Sequence, residues 1–302
     1  MLMSSRKMNK LDKQEERLGW LFIMPFIMGF FIFNLLPLIY GVVISFLDFN
    51  SLGAMNNLEF VGLENYIKIF QDKIALSAYV KSFYFTIIYV TGIISSSLIM
   101  ALLLNRKFYL RTLTRTMIYL PYVANVIAVA MIWSIILDPY DGPVNTLLGL
   151  AGVENLPMWL GGVKTALPTV ALINVWLNLA FQTIVFLAAL QEVPKELYES
   201  ASIDGASAWN RFLNVTLPMI SPTTFFLIIT SIIGSFQNYA IISALTQGGP
   251  GIATRVIAKN MYDEAFVYSK FSYSSAQAMI LFVIILFITI VQWKGQKKWV
   301  HY

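Results

Sequence analysis

Pro194-Lys195-Glu196-Leu197-Tyr198-Glu199-Ser200-Ala201-Ser202-Ile203-Asp204-Gly205-Ala206-Ser207-Ala208-Trp209-Asn210-Arg211-Phe212 is a long, patterned, mixed-charge stretch set between two apolar runs. Its local chemistry reads as two short helices joined by a turn. Pro194 suits a first helical position, and Glu196 lies close to the positive end of the dipole. Leu197, Ala201 and Asp204 follow at i, i+4 and i+7, with Tyr198 beside them. Gly205 can adopt positive φ and end the first helix sharply. Ser207 then caps a second, shorter helix that carries Trp209 and Phe212. Small residues around the turn allow another protein to approach closely. An amphipathic hairpin lying on a membrane surface without a partner fits the same pattern.

The runs on either side are free of charge. No Asp, Glu, Lys, Arg or His lies between Lys164 and Glu192, or between Arg211 and Arg255. Further gaps run from Arg17 to Asp48, Lys81 to Arg106, Arg115 to Asp138 and Lys270 to Lys294. A charge at mid-bilayer costs roughly 2.5–3.5 kcal/mol on insertion scales, so such gaps locate spans. Each also meets the need for about 20 apolar residues. The expectation is an all-α integral membrane protein with six helices, at about 18–47, 82–105, 116–137, 165–191, 217–245 and 271–293. Gly248-Gly249-Pro250-Gly251 closes the fifth as a loop. Pro37 is expected to kink the first helix and Pro121 the third.

Of the 302 residues, 58% are hydrophobic and 12% charged, against about 25% charged in soluble domains. Lipid must therefore replace water over most of the surface. With the N-terminus inside, 14 of the 21 lysines and arginines fall on the cytoplasmic side, which places both termini there. Residues 1–17 form a cytoplasmic segment, 18–295 the membrane domain, and 296–302 a cytoplasmic tail. The first apolar run exceeds a signal-peptide core and lacks a small-x-small cleavage site, so it reads as an uncleaved helix. The external segments are 48–81, with a short amphipathic run at 66–70, then 138–164, rich in Gly and Pro, and 246–270.

Composition also removes chemistries. The chain has no cysteine, and its one histidine, His301, lies beside the C-terminus. No metal site, intramembrane serine–histidine pair or paired aspartate is available, so the chain is not expected to be an enzyme. The net charge of +5 is explained by membrane orientation rather than nucleic acid. No Gly-x-x-x-x-Gly-Lys-[Ser/Thr] loop is present to cradle a nucleotide, so energy must come from a partner. Without intramembrane charges, selectivity rests on neutral groups. Tyr122 and Asn125 share a face of the third helix. Asn174, Asn178 and Phe181 or Gln182 lie on the fourth, and Ser231, Ser235 and Asn238 on the fifth, with Gln237 adjacent. Amides and hydroxyls match sugar hydroxyls, and aromatic rings match sugar C–H faces. The same residue types also serve as hydrogen-bond glue between membrane helices.

Glu199-Ser200-Ala201-x-x-Asp204-Gly205-Ala206, followed by Phe212 and Thr216-Leu217-Pro218, resembles the Glu-Ala-Ala loop of permease subunits of binding-protein-dependent ABC importers. Ser200 stands where alanine is common, one small residue for another. Phe60-Val61-Gly62-Leu63-Glu64-Asn65-Tyr66, Leu120-Pro121-Tyr122, Gly142-Pro143-Val144-Asn145, Glu196-Leu197-Tyr198-Glu199 and Thr246-Gln247-Gly248-Gly249-Pro250 resemble the carbohydrate-uptake branch that includes the maltose and glycerol-phosphate permeases. The resemblance implies a type I ABC importer permease fold in a bacterial plasma (inner) membrane. It makes residues 194–212 a coupling loop that docks on a separate ATPase through Glu199, Ala201, Asp204, Gly205 and Ala206. It implies a second homologous permease, two ATPase subunits that carry the ATP and Mg, an extracellular solute-binding protein, and a carbohydrate, an oligosaccharide, as cargo. It favours sugar contacts at Tyr122, Asn174, Asn178, Phe181, Ser235 and Asn238, although Asn178 and Phe181 depart from the maltose pattern. An ion-coupled secondary transporter or channel is the alternative, and backbone carbonyls could bind its ion without charged side chains.

Overall fold

The computed structural model describes residues 10–49, 59–106, 109, 111–297 and 299–300. Helix α1 (Lys10–Phe30) passes through a π-helical turn (Phe31–Leu35) into α2 (Leu36–Ser45). Pro37 lacks an N–H, and its ring crowds the carbonyl four residues back, at Phe33 within that turn. A two-residue ladder follows, β1 (Leu47–Asp48) antiparallel to β2 (Glu59–Phe60). It is the only strand pairing among the described residues.

Helix α3 (Glu64–Gln71) is the short amphipathic run, tied back where Asn65 Nδ2 donates to Ser45 O and Leu47 O, both at 3.0 Å. Asp72 then caps α4 (Lys73–Asn105) by accepting from the amides of Ile74 and Ala75. This helix starts nine residues before the expected 82, because its first turns tolerate two lysines. Lys81 Nζ donates to Ile252 O at 2.6 Å and to Ser77 Oγ at 2.7 Å. A gap in charge marks the apolar part of a helix and not its first residue.

Two expected helices are broken. The third, drawn as 116–137, divides into α5 (Arg111–Val123) and α6 (Val126–Ile136), which meet at 103°. Asn125 is extended there, and its Oδ1 accepts from the amides of Ile127 and Ala128, starting α6 afresh. After α7 (Pro143–Leu150), a 3₁₀ turn (Trp159–Gly161) and α8 (Ala166–Glu192) come α9 (Lys195–Ile203) and α10 (Ala208–Arg211). A π-helical turn (Phe212–Thr216) leads into α11 (Leu217–Met219). The fifth helix, drawn as 217–245, becomes α11, α12 (Ser221–Phe236) and α13 (Ala240–Leu245), with a 66° bend before α12. Pro222 within the first turn of α12 favours a fresh start at that bend. The loop drawn at 246–270 contains α14 (Ile257–Tyr262) and a π-helical turn (Asp263–Val267), and α15 (Phe271–Gln296) ends the fold.

Among the described residues, four helices are long and apolar enough to cross a membrane, or up to six if each bent pair counts as one span. Helix α8 is the most enclosed and packs along α4. Phe85, Ile93, Val170 and Ile242 anchor one apolar cluster, Ile69, Ala78, Phe236 and Ala276 a second, and Leu104, Phe186, Ile220 and Leu227 a third. Lipid tails are as apolar as leucine, so close packing and hydrogen bonds rather than water exclusion hold these contacts. The segment 138–164 is built around Asn145. It is buried, donates to Pro139 O and Pro157 O, and accepts from Trp159 Nε1 at 2.7 Å. Gly142 precedes α7 because a Cβ there would meet the Asp138 backbone.

Candidate translocation cavity and coupling hairpin

The α5–α6 break and the segment joining α12 to α13 border one space beside α8. Between them lies a cavity of about 430 Å³ lined by Tyr122 of α5, Asn174 and Asn178 of α8, and Gln237 and Asn238 of the segment joining α12 to α13. Five of the nine candidate pathway residues are thereby brought together. Asn178 Nδ2 donates to Asn174 O at 2.9 Å and to Asn174 Oδ1 at 3.1 Å, which links the two amides along α8. Phe181 lies beside the cavity, half-exposed, with its ring stacked on Tyr122 at 6.1 Å and 15°.

The other three candidates make structural bonds. Asn125 gives its carbonyl oxygen to the α6 cap. Ser231 is buried, accepts from Gln182 Nε2 at 2.6 Å and donates to Leu227 O. Ser235 shares a 2.7 Å hydrogen bond with Thr86 of α4. These two serines join α12 to α8 and to α4. Their i, i+4 spacing is equally that of a pathway face or of a helix contact, and here it is a contact.

Tyr89 and Tyr239, which are not among the sequence candidates, also line the cavity. Tyr89 is isolated on α4 and stacks on Phe85 at 6.0 Å and 7°. The sequence around Tyr239 does carry a signal. Gln237, Asn238 and Tyr239 are consecutive, and three consecutive side chains cannot share one face of a continuous helix. No ionisable group other than tyrosine lines the cavity. It offers amides, phenols and ring faces, the set that matches a neutral polyhydroxylated ligand.

The hairpin at 194–212 lies at the far end of the molecule from the start of α4. Ala206 N donates to Ala201 O at 2.9 Å and Gly205 N to Ser202 O at 3.1 Å. With Gly205 at φ +76°, this is a Schellman motif closing α9. Ser207 caps α10 by accepting from Asn210 N. The two arms are stitched by Arg211 Nη1 donating to Ser202 Oγ at 2.7 Å, and Tyr198 and Thr216 share a 3.0 Å hydrogen bond to the rest of the fold. Glu199, Asp204 and Gly205 are exposed, Ala201 and Ala206 half-buried. Ile203 at the tip is 86% exposed, an apolar residue displayed outside the bilayer-spanning helices.

Residues 92–294 match the family described as the binding-protein-dependent transport system inner membrane component. The chain belongs to this family. It is 32% identical over 303 residues to the probable ABC transporter permease protein YesP of Bacillus subtilis (strain 168), covering 98% of this chain and 96% of that one. It is 36% identical over 251 residues to the sn-glycerol-3-phosphate transport system permease protein UgpA of Yersinia pestis, covering 81% and 82%. Its fold is that of a chain in the crystal structure of a bacterial alginate ABC transporter in complex with alginate pentasaccharide-bound periplasmic protein. There the TM-score is 0.82 at 23% identity, over 95% of this chain and 96% of that one. The chain is thus a multi-pass inner membrane permease of an ABC importer, and the relatives are permease subunits rather than enzymes. A secondary transporter working alone is set aside by a family that depends on a binding protein.

Proposed function

We propose that this chain forms one half of the pathway by which an ABC importer carries a neutral saccharide, an oligosaccharide, across the inner membrane. The neutral, aromatic-walled cavity between the two helix breaks carries the reading. Both named relatives whose cargo is stated handle acidic ligands, sn-glycerol 3-phosphate and alginate, an acidic polysaccharide. The absence of a cationic group among the residues lining this cavity favours an uncharged one.

In this scheme the chain spans the membrane six times with both termini cytoplasmic. It pairs with a second permease and receives its ligand from an extracellular binding protein. Two ATPase subunits hold ATP and Mg and grip the hairpin at Glu199, Ala201, Asp204, Gly205 and Ala206. ATP binding draws the ATPases together, the rigid hairpin passes the movement through Tyr198 and Thr216 to α12, and the cavity opens outward.

The assembled transporter in proteoliposomes tests this. Uptake of a neutral oligosaccharide should depend on ATP and fall about tenfold in Asn178→Leu, which removes one amide from the cavity. Stimulation by glycerol 3-phosphate alone, or uptake by the purified chain without ATP, would overturn the reading.

A further inference from the structure

Tyr239 has a second neighbour. Its ring stacks on Tyr262 of α14 with centroids 4.3 Å apart and planes at 29°. Tyr262 in turn meets Phe266, four residues on, at 5.0 Å. Tyr262 is 40% exposed and Phe266 67% exposed. The cavity wall therefore continues outside the cavity as a run of displayed rings. Its direction is fixed by α4: Ser82 Oγ accepts from Ile257 N at the head of α14, about two turns before Tyr89 enters the cavity wall. The hairpin lies towards the other end of α4, so the rings lead away from it, to the side where ligand enters.

The back of the same element is built to stay still. Lys259 is paired with Asp263, and Arg255 approaches Asp263 and Glu264 at 3.7 and 3.8 Å. Arg255 Nε donates to Asn260 Oδ1 at 2.8 Å, and Asn260 Nδ2 to Gln277 Oε1 at 3.1 Å, locking α14 to α15. Lys259, Asn260, Asp263 and Glu264 are all buried. Charged groups are thus turned inward and aromatic rings outward, the reverse of what solvation alone favours. A rigid backing also lowers the ordering cost of binding on the exposed side.

We propose that Tyr262 and Phe266 form an entry subsite, where the trailing sugar units of an oligosaccharide pack while its leading unit occupies the cavity. This rests on the saccharide reading of the cavity and adds a length preference to it. The occupant is a saccharide because the run is continuous with the polar cavity through Tyr239.

The test uses the complete transporter in proteoliposomes with maltose- and xylan-series oligomers. Wild-type protein that takes up no member of either series would defeat the saccharide reading itself. Where one series is taken up, the hexasaccharide-to-disaccharide uptake ratio should fall roughly fivefold in Tyr262→Ala and in Phe266→Ala, and recover in Tyr262→Phe, which keeps the ring. Tyr262→Trp should show a fluorescence change on adding the hexasaccharide that the disaccharide produces weakly. An unchanged ratio, or equal loss at both lengths, would overturn the subsite. So would loss of the second permease or binding protein from the purified variants, since the rings would then be a protein interface.

Discussion

Gly205 occupies a left-handed conformation with open space around its missing Cβ. A substitution there is opposed by backbone strain rather than by collision within this chain, and that fixes an order. Asparagine tolerates the conformation best after glycine, alanine costs about 1–2 kcal/mol, and a β-branched residue costs more. ATPase activity coupled to uptake should therefore rank Gly205 above Gly205→Asn, then Gly205→Ala, then Gly205→Val. Equal coupling in all four would show that the closed Schellman turn is not needed. Asn125 can be sorted in the same way. As a helix cap it should be replaceable by serine, while Asn125→Ala lowers thermal stability in detergent by about 1 kcal/mol without changing saccharide preference. A shift of preference in Asn125→Ser would return it to the pathway. At this scale the sequence told much about Gly205, because positive φ is a property of glycine itself. It told less about Asn125, because the same amide at the same spacing can cap, glue or bind.

Among the elements, Asp72 ties two spans with one carboxylate. It caps α4 and accepts from Tyr273 Oη of α15 at 2.7 Å. Partial burial pushes its pKa up, but the Tyr273 hydroxyl and the Ile74 and Ala75 amides prevail and hold it below the ordinary 3.8. A depressed carboxylate contributes stability that is complete above its unfolded value and is lost as pH falls through its folded value. Wild-type protein should thus be more heat-stable in detergent than Asp72→Asn at neutral pH, and the gap should close only below about pH 4. A gap that is constant from pH 7 to pH 3 would remove Asp72 from this role. The breaks at 124–125 and 237–239 escaped the charge-gap reading, since an apolar run stays apolar whether its helix is straight or bent. The charge cluster around α14 escaped it too. Arg255, Lys259, Asp263 and Glu264 read as ordinary solvated loop charges until the fold pairs them.

For the whole molecule, apolar runs and the hairpin motif sufficed to read the class and the family, because bilayer thickness and the cost of buried charge act on every span alike. Proposed topology is open to direct measurement, since a chain without cysteine gives no labelling background. Single cysteines at Glu15 and Lys297 should react with an impermeant maleimide only after the cells are opened. Those at Glu154 and Gly251 should react in intact cells, and the reverse pattern would invert the topology. Helix α1–α2 leaves Phe22, Phe26 and Phe33 exposed along most of its length, a surface suited to lipid or to a neighbouring subunit. The cavity itself has a physiological corollary. Moving one elementary charge through the membrane is worth about 2.3 kcal/mol per 100 mV, and a neutral ligand passing neutral walls moves none. Import along this route should run at the same speed in an energised cell and in one whose membrane voltage has collapsed, for as long as its ATP lasts.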